Sequence, residues 1–207
     1  PLYSSAASDV YKRQIFREGV TVHRGTVQDK SITSIGSDNL LMAYSHVAHD
    51  CVVGDGNVFA NNAGIAGHVN VGNKITIGAL TTIHQFCKIG DYAFVGMNTS
   101  ITMDIPAFIK VAADPARVIG LNTIGMSRSN LSEDAIAIIK KAYKLIYKKG
   151  YKLEDAIKEV EKLEVKRIQL SLQQNQGNRT RTADELGIGR TNLIAKLKKY
   201  NLLDFVA

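Results

Sequence analysis

Residues 35–101 read IGSDNLLMAYSHVAHDCVVGDGNVFANNAGIAGHVNVGNKITIGALTTIHQFCKIGDYAFVGMNTSI. Within this stretch a large apolar residue recurs at every sixth position without a break. The members of this apolar ladder are Ile35, Leu41, Val47, Val53, Phe59, Ile65, Val71, Ile77, Ile83, Ile89, Val95 and Ile101. A helix repeats at about 3.6 residues and an ordinary strand at about 2, whereas short parallel strands around a three-sided prism repeat at six. The ladder therefore predicts a parallel β-helix.

Small residues follow most members of the ladder. They are Gly36, Ala48, Gly54, Ala60, Ala66, Gly72, Gly78, Gly90 and Gly96. We interpret them as the residues of tight corners, where side chains would be crowded. Three faces of six residues give a coil of about 18 residues, and residues one coil apart should stack at about the strand spacing of 4.8 Å.

Composition places the chain among globular proteins. Its 207 residues, 45% of them hydrophobic, are enough for a sizeable core and for one domain with an appendage. No uncharged apolar run approaches the roughly 18 residues of a membrane span, and the chain does not open with a charged and then apolar secretory leader. We therefore expect no membrane span and a cytoplasmic location.

The two cysteines do not predict a disulfide. Cys51 and Cys87 lie two coils apart in one column of the predicted prism, about 9 to 10 Å by strand spacing, which is too far for a disulfide. We expect two free, buried thiols. No cysteine pattern of a zinc cluster is present, and no metal or cofactor is predicted.

The net charge of +7 is unevenly distributed. Residues 1–130 carry 10 basic and 9 acidic residues, whereas residues 131–207 carry 16 and 10. A basic C-terminal third fits nucleic-acid binding, an anionic cofactor or a solvated helical face, and charge alone favours the solvated face.

The pattern divides the chain into four segments. Residues 1–14 lack the ladder and resemble translated adapter sequence, so we interpret them as a non-native leader and expect N-terminal coils to be missing. Residues 15–115 form the predicted β-helix, with a polar loop at Gln28 to Ser34 where the ladder slips. Residues 116–168 form a helical region, and residues 169–207 form a segment of two short helices.

Helix signals support the last two segments. Ser132, followed by two acidic residues, starts a helix that Gly150 ends. A second apolar stripe, beginning at Leu153 and reaching Leu163, predicts a helix of about three turns. Beyond it, helices over Thr180 to Leu186 and Thr191 to Tyr200 are expected, with a turn at Gly187.

Polar residues that could carry chemistry fall in one vertical strip of the prism. The strip contains His46, His49, Asp50, His68, His84 and Gln85. Stacking places His49, Gly67 and Gln85 in one column, with Asp50 and His68 in the next. A histidine beside a carboxylate, with a glycine N–H for an oxyanion, suits acyl transfer from a thioester to a hydroxyl. A seam of structural histidines and a histidine metal site are the alternatives.

Six segments resemble one enzyme family. They are VTVHRGTVQ, SDNLLM, HVAHDC, ANNAGIAGHV, IHQFCKIGD and AYKLIYKKG. From about Val20 to Leu163 the chain is similar to the acyl-[acyl-carrier-protein]–UDP-N-acetylglucosamine O-acyltransferases of lipid A biosynthesis, which are left-handed β-helix trimers. The resemblance implies an acyltransferase that moves a 3-hydroxyacyl chain from acyl carrier protein to the 3-hydroxyl of UDP-N-acetylglucosamine, with no cofactor.

The resemblance also implies residue roles. His49 is expected to be the general base, with Asp50 orienting it and the Gly67 N–H stabilising the oxyanion. Substrate-binding positions are expected at His46, His68, His84, Gln85, Met97 and Arg128. Met97 stands where the family's acyl channel ends, so that a thioether there predicts a donor of about ten carbons rather than fourteen. The pocket is expected between subunits of a homotrimer.

The C-terminal segment resembles a different class of protein. GNRTRTADELGIGRTNLIAKLKKY is similar to the DNA-binding helix-turn-helix of Fis-like proteins. That resemblance implies a small core at Ala183, Leu186, Ile188, Leu193 and Leu197, and DNA contacts by Arg190, Asn192, Lys196 and Lys199. Such modules bind DNA as two-fold dimers, unlike a trimer, so we expect a chimeric join near Glu164 to Gln173. The alternative function is a DNA-binding regulator that uses the β-helix for oligomerisation.

Overall fold

The computed structural model of the chain describes residues 8–10, 12–27 and 31–203. It divides into two compact units, Pro1–Ser129 and Asn130–Ala207. In the described residues the first unit is mainly β and the second is helical. Pro1 to Ala7, Tyr11 and Gln28 to Lys30, which belong to the predicted leader and loop, lie outside the described residues.

The first unit is built from short strands in three sheets. The first sheet consists of β1 (Ser8–Val10), β4 (Thr33–Ile35), β7 (Val52–Val53), β10 (Asn70–Val71) and β13 (Lys88–Ile89). The second consists of β2 (Ile15–Phe16), β5 (Leu40–Leu41), β8 (Val58–Phe59), β11 (Thr76–Ile77), β14 (Phe94–Val95), β16 (Ile109–Ala112) and β17 (Arg117–Leu121). The third consists of β3 (Thr21–Val22), β6 (His46–Val47), β9 (Gly64–Ile65), β12 (Thr82–Ile83) and β15 (Ser100–Ile101). The fold is the predicted left-handed parallel β-helix, followed by helices.

Strand register confirms the coil length and locates the one irregular coil. Val53 pairs with Val71 and Val71 with Ile89, which is a spacing of 18 residues (71 − 53 and 89 − 71). Thr21, however, pairs with His46, 25 residues on (46 − 21). The first coil thus contains seven extra residues (25 − 18) between β3 and β4, where the slip of the ladder predicted a loop.

The apolar ladder forms the core of the prism, as predicted. Its twelve members are each 2% exposed or less. A second buried series lies two positions before each of its members from Leu41 onwards and continues to residue 105. It comprises Asn39, Ser45, Cys51, Asn57, Ala63, Val69, Ile75, Thr81, Cys87, Ala93, Thr99 and Ile105. The sequence pattern did not reveal this second series because its members are chemically mixed.

The tight corners are not formed by the small residues that follow the ladder. Residues three places after a ladder member take the left-handed conformation: Asp38, Tyr44, Asp50, Gly56, Asn62, His68, Lys74, Leu80, Phe86, Tyr92 and Asn98. The small residues do not make these turns, so that interpretation was wrong. A Cβ on Gly54 would lie 2.6 Å from the carbonyl oxygen of Gly72 in the next coil, so this residue is small because the coils stack closely.

Part of the predicted leader belongs to the β-helix. Ser8–Val10 pairs in parallel with β4, with Val10 opposite Ile35, although the sequence pattern predicts a non-native leader there. Without β1, β4 would be the edge strand of this sheet, and its backbone groups on that side would lack partners.

The β structure extends past residue 115. β16 pairs with β14 in parallel, and β17 pairs with β16 antiparallel, so a strand occupies the start of the range predicted as helical. Helix α1 (Thr123–Ser127) follows, and the Asn122 side chain caps it by accepting from the Gly125 N–H at 3.0 Å.

Helices make up the second unit. They are α2 (Glu133–Tyr143), continued by a π-helical turn (Lys144–Lys148), α3 (Leu153–Gln174), α4 (Arg179–Leu186) and α5 (Arg190–Lys199). Ser132 caps α2, as predicted, with its hydroxyl accepting from the Ala135 N–H at 3.2 Å. α3 is longer than expected because its buried stripe continues at Ile168 and Leu172. It passes without a break through the range of the predicted join.

The two short helices at the end agree with the prediction within one residue. Gly187, with a φ of 66°, ends α4 in the left-handed conformation. The core of this region consists of Ile168, Leu172, Ala183, Leu186, Leu193, Leu197 and Leu202. Ile188 packs against this core while remaining partly exposed. No helix in the described part of the chain combines the length and hydrophobicity that crossing a bilayer requires.

Candidate functional site

The predicted polar strip lies on one corner of the prism, directly after strands of the third sheet. The His68 N–H donates to the carbonyl of His49 at 3.0 Å, and the Phe86 N–H donates to that of Gly67 at 3.2 Å. These bonds stack successive coils, so that His49, Gly67 and Gln85 form one column and Asp50 and His68 the next. Both columns agree with the sequence prediction.

Asp50 is the buried anchor of the strip. Its side chain is 0% exposed, whereas that of His49 is 41% exposed. The Asp50 carboxylate accepts from the Thr26 N–H at 3.0 Å to each oxygen and from the Thr26 hydroxyl at 2.7 Å. The Asp50 N–H in turn donates to the Thr33 hydroxyl at 2.8 Å. Both the carboxylate and the backbone of Asp50 are therefore held in place.

The environment of Asp50 keeps it ionised. Burial acts to raise the pKa of its carboxyl group, but hydrogen bonds from Thr26 and His49 outweigh burial, and the pKa lies below its ordinary value. Nδ1 of His49 lies 2.9 Å from Oδ2 of Asp50. Because an ionised carboxylate can only accept, we assign the ring proton to Nδ1, which leaves a lone pair on Nε2.

Gly67 lies directly under the imidazole of His49. A Cβ at this position would come within 2.6 Å of Cε1 and 2.7 Å of Nε2, so any larger residue would displace the ring. The Gly67 N–H has no hydrogen-bond acceptor among the described residues. A donor is thus available beside the basic nitrogen, as an oxyanion site requires.

Aromatic contacts connect the remaining histidines. His68 lies edge-on to His49, with ring centroids 5.1 Å apart, and stacks on Phe86 at 4.8 Å. His46 lies edge-on to His23 at 4.6 Å, and its Nδ1 shares a 2.7 Å hydrogen bond with the Thr21 hydroxyl. Burial, together with the nearby His23, lowers the pKa of His46. This favours a neutral ring.

The other predicted site residues lie around the strip or away from it. His84 and Gln85 are exposed on the next coil, with the His84 Nδ1 3.2 Å from the Gln85 carbonyl oxygen. Met97 is 69% exposed, but it follows β14 of the second sheet and so lies on a different corner. Arg128 is exposed at the C-terminal end of α1.

A cleft opens beside His49. It has a volume of about 680 Å³ and is lined by Val22, His23, Arg24, Gly25, Thr26, Val27, Ser31 and His49. This segment belongs to a motif that the chain shares with the acyltransferases, but the sequence predicts no role for its individual residues. The seven-residue slip of the ladder was the signal that could have directed attention to it.

The geometry bears on two other kinds of chemistry, a metal site at the strip and a nucleophilic cysteine thiol. Ligand atoms of His49, Asp50 and His68 lie within 4.8 Å of one another, close enough to surround a metal ion. The Asp50 carboxylate, however, already accepts three bonds from Thr26 and faces the His49 ring. The donor set therefore favours a hydrogen-bonded dyad. Nor is a nucleophilic thiol indicated, because burial raises the pKa of Cys51 to about 11.

Family models match two parts of the chain. The model of the bacterial transferase hexapeptide (six repeats) matches residues 32–67. The model of UDP-N-acetylglucosamine O-acyltransferase, domain 2, matches residues 104–181. This match extends beyond the join predicted near Glu164 to Gln173. An acyl-[acyl-carrier-protein]–UDP-N-acetylglucosamine O-acyltransferase from Pseudomonas putida is 43% identical over 158 residues, or 76% of this chain and 61% of the relative.

The chain therefore belongs to the UDP-N-acetylglucosamine O-acyltransferase family. A family member from Ectopseudomonas mendocina is 48% identical over 70% of this chain and 56% of its own length. The structure of LpxA from Acinetobacter baumannii superposes with a TM-score of 0.69 at 43% identity, covering 76% of this chain and 62% of that one. LpxA from Moraxella catarrhalis gives 0.70 at 42% identity, covering 79% and 65%. The chain thus spans about three fifths of the length of these members of the acyltransferase family.

The predicted DNA-binding residues receive no such support. No relative or family model named above is a DNA-binding protein. Lys196 pairs with Glu164 and Lys199 with Glu161, each at 2.7 Å, whereas Arg190 and Asn192 are exposed on α5. Two of the four proposed contacts with DNA are thus already engaged with carboxylates of α3.

Proposed function

We propose that the chain transfers a 3-hydroxyacyl group from acyl carrier protein to the 3-hydroxyl of UDP-N-acetylglucosamine, the first step of lipid A biosynthesis. The observation that supports this most directly is the pair of His49 and a buried, ionised Asp50 at the edge of a cleft. Relatives named acyl-[acyl-carrier-protein]–UDP-N-acetylglucosamine O-acyltransferase match 70% and 76% of the chain.

His49 is the general base in this proposal. Its Nε2 removes the proton of the sugar hydroxyl while the oxygen attacks the thioester carbonyl. The Gly67 N–H donates to the oxyanion that forms. When the intermediate collapses, the carbon–sulfur bond breaks, and the imidazolium returns its proton to the departing thiolate. Asp50 stabilises the imidazolium between these steps, and no acyl-enzyme is needed.

The substrate-binding roles are proposed for the groups around the dyad. His46, His68, His84 and Gln85 hold the sugar nucleotide or the acyl donor along the same corner. Arg128 contacts a phosphate as a charged donor. Met97 closes the acyl channel, so that a donor of about ten carbons is preferred.

A homotrimer completes the site in this proposal, and the reaction takes place in the cytoplasm. Met97 and His49 lie on different corners of one prism, so Met97 can reach the acyl chain bound at His49 only from a neighbouring subunit. A site shared between subunits would bring the exposed apolar side chains of Tyr44, Leu80 and Met97 next to the His49 corner of a neighbouring prism.

Transfer of a 3-hydroxydecanoyl group from acyl carrier protein to UDP-N-acetylglucosamine tests the proposal. The wild-type chain should form the 3-O-acyl product, and His49→Ala should lower kcat by at least about 100-fold. His23→Ala provides a comparison, since it removes a ring of the cleft without removing the base. Activity that survives His49→Ala would contradict the assignment of the base.

DNA binding by α4 and α5 is a second candidate function. The observation that favours it is the sharp turn at Gly187 between two short helices that share a core. A labelled duplex should shift with the chain, and the affinity should fall steeply with salt. Arg190→Ala should then weaken binding more than Lys196→Ala, because Lys196 is paired with Glu164. Binding that is absent at low salt would exclude this function.

A further inference from the structure

Thr26 makes three hydrogen bonds to a single carboxylate. Its N–H lies 3.0 Å from both oxygens of Asp50, and its hydroxyl lies 2.7 Å from Oδ2. The same Oδ2 lies 2.9 Å from Nδ1 of His49. The Thr26 hydroxyl and the His49 ring therefore share one acceptor atom, and the position of that atom decides where the ring can point.

Thr26 lies in the irregular first coil. In the regular coils, the corner after the third sheet turns in one left-handed residue: Asp50, His68 or Phe86. In the first coil the chain makes an excursion of seven extra residues instead, and Thr26 lies on it above Asp50. Thr26 therefore reaches the carboxylate from the irregular part of the first coil.

The two ends of the excursion lie in close contact. A Cβ on Gly25 would lie 2.0 Å from the Ile32 nitrogen, so the outgoing and returning chains touch there. The Ser31 hydroxyl donates to the Thr26 carbonyl at 3.2 Å. These contacts fix the backbone around Thr26, so that its hydroxyl approaches Asp50 from a defined direction.

We propose that Thr26 is a positioning residue for the general base: its hydroxyl fixes Oδ2 of Asp50 in the orientation that faces Nδ1 of His49. The ring is thereby kept in the tautomer that carries its lone pair on Nε2. The inference rests on the proposed function for its catalytic consequence, but the tautomer can be measured without turnover. Thr33 does not share the role, because it contacts only the Asp50 N–H.

Ring-labelled histidine tests the tautomer directly. The chain has five histidines, and the His49 signals are identified by their loss in His49→Gln. At about pH 8.5, where imidazoles are neutral, ¹⁵N spectra should show His49 protonated on Nδ1 in the wild-type chain. In Thr26→Val both tautomers should appear, and Thr26→Ser should restore the wild-type spectrum.

Controls separate positioning from folding. Thr76→Val removes a hydroxyl from β11 in the second sheet and should leave the His49 signals unchanged. The other four histidines report whether each variant is folded. If Thr26→Val does not fold, Thr26→Ala removes the same hydroxyl without placing a methyl group against the carboxylate. An unchanged His49 tautomer in a folded variant that lacks the hydroxyl would overturn the proposal.

The kinetic consequence is a second readout. Thr26→Val should lower kcat by about 10- to 100-fold with little change in KM, and Thr26→Ser should recover most of it. The acid limb of the pH profile should move to higher pH in Thr26→Val, because a bond that lowers the pKa of Asp50 is lost. Among the described residues, the titratable groups that interact with Asp50 are His49, His68 and Cys51, and all remain in the variant.

The two proposals fail in different ways. A wild-type chain that transfers no acyl group, combined with a tautomer change in Thr26→Val, would contradict the proposed reaction and support the role of Thr26. An active chain with the same His49 tautomer and the same kcat in Thr26→Val would contradict the role of Thr26 alone.

Discussion

At the scale of single residues, the site depends on Gly67 having no side chain. The His49 ring occupies the space that a Cβ on Gly67 would need, with its Nε2 2.7 Å from that point. Gly67→Ala should therefore push the ring out of line and lower kcat by about 100-fold, while the melting temperature changes little. Steady-state kinetics and thermal unfolding measure the two effects.

Gly64→Ala is the matched control. It lies in β9, three residues before Gly67, but within 4 Å a Cβ there would meet only the Cβ of His46, at an ordinary 3.8 Å. We expect its kcat to stay within about two-fold of wild type. Equal losses in the two variants would mean that neither reports on the His49 ring.

Asp50 predicts an acid-dependent contribution to stability. Its folded pKa lies below the ordinary value, so its stabilisation is fully present above about pH 4 and is lost as pH falls through the lowered folded pKa. In urea unfolding, Asp50→Asn should be less stable than wild type at pH 7, and the gap should narrow below about pH 4. A gap that stays constant from pH 7 to pH 3 would contradict this.

The residues of the site were predictable to different degrees. Spacing alone placed His49, Gly67 and Gln85 in one column, because a coil of constant length converts sequence distance into position. Thr26 could not be found in this way, since it lies on the irregular coil and 24 residues before Asp50. Phe86 was missed because an exposed corner aromatic has no place in the apolar ladder.

At the scale of the strands, a buried asparagine column supports the prism. The Asn57 side chain donates to the Gly72 carbonyl at 2.9 Å and accepts from the Ile75 N–H at 2.8 Å. Its own N–H donates to the Asn39 side chain at 2.7 Å. Asn57→Ala would leave buried backbone groups without partners, so we expect a loss of about 3 kcal/mol in the free energy of unfolding.

Ser45 provides the opposite case within the same buried series. Its hydroxyl is buried without a hydrogen-bond partner among the described residues, and the position one coil later is Ala63. Ser45→Ala should raise the free energy of unfolding by up to about 1 kcal/mol. Urea denaturation of both variants tests the pair, and a stability loss in Ser45→Ala as large as that in Asn57→Ala would contradict the argument.

This buried series also explains why the sequence pattern predicted only one of the two inward positions on each face of the prism. One of the two inward positions on each face, the last residue of the strand, is always aliphatic or aromatic and is thus visible as a period of six. The other mixes Asn, Ser, Thr, Cys and aliphatic residues, because backbone groups inside the corners need polar partners in some coils and not in others. Hydrophobicity alone cannot identify positions selected for hydrogen bonding.

At the scale of the whole molecule, the position of Met97 gives the sharpest test of a shared site. Met97 lies on a different corner of the prism from His49, so in a trimer it should limit the acyl chain bound at a neighbour's base. Met97→Gly should remove that limit and extend the preferred donor from about ten carbons towards fourteen. Competition between 3-hydroxydecanoyl and 3-hydroxytetradecanoyl donors measures the shift.

Mixed assemblies decide which subunit contributes the methionine. A chain that carries both His49→Ala and Met97→Gly has no base and should be inactive alone. Refolded together with wild-type chains, it should yield trimers that accept the fourteen-carbon donor, even though every chain with an intact base also has Met97. Mixing wild type with His49→Ala alone should give no long-chain activity. If the double variant also gave none, although exchange of subunits had been verified, Met97 would act on the His49 of its own chain and the proposed geometry of the trimer would be wrong.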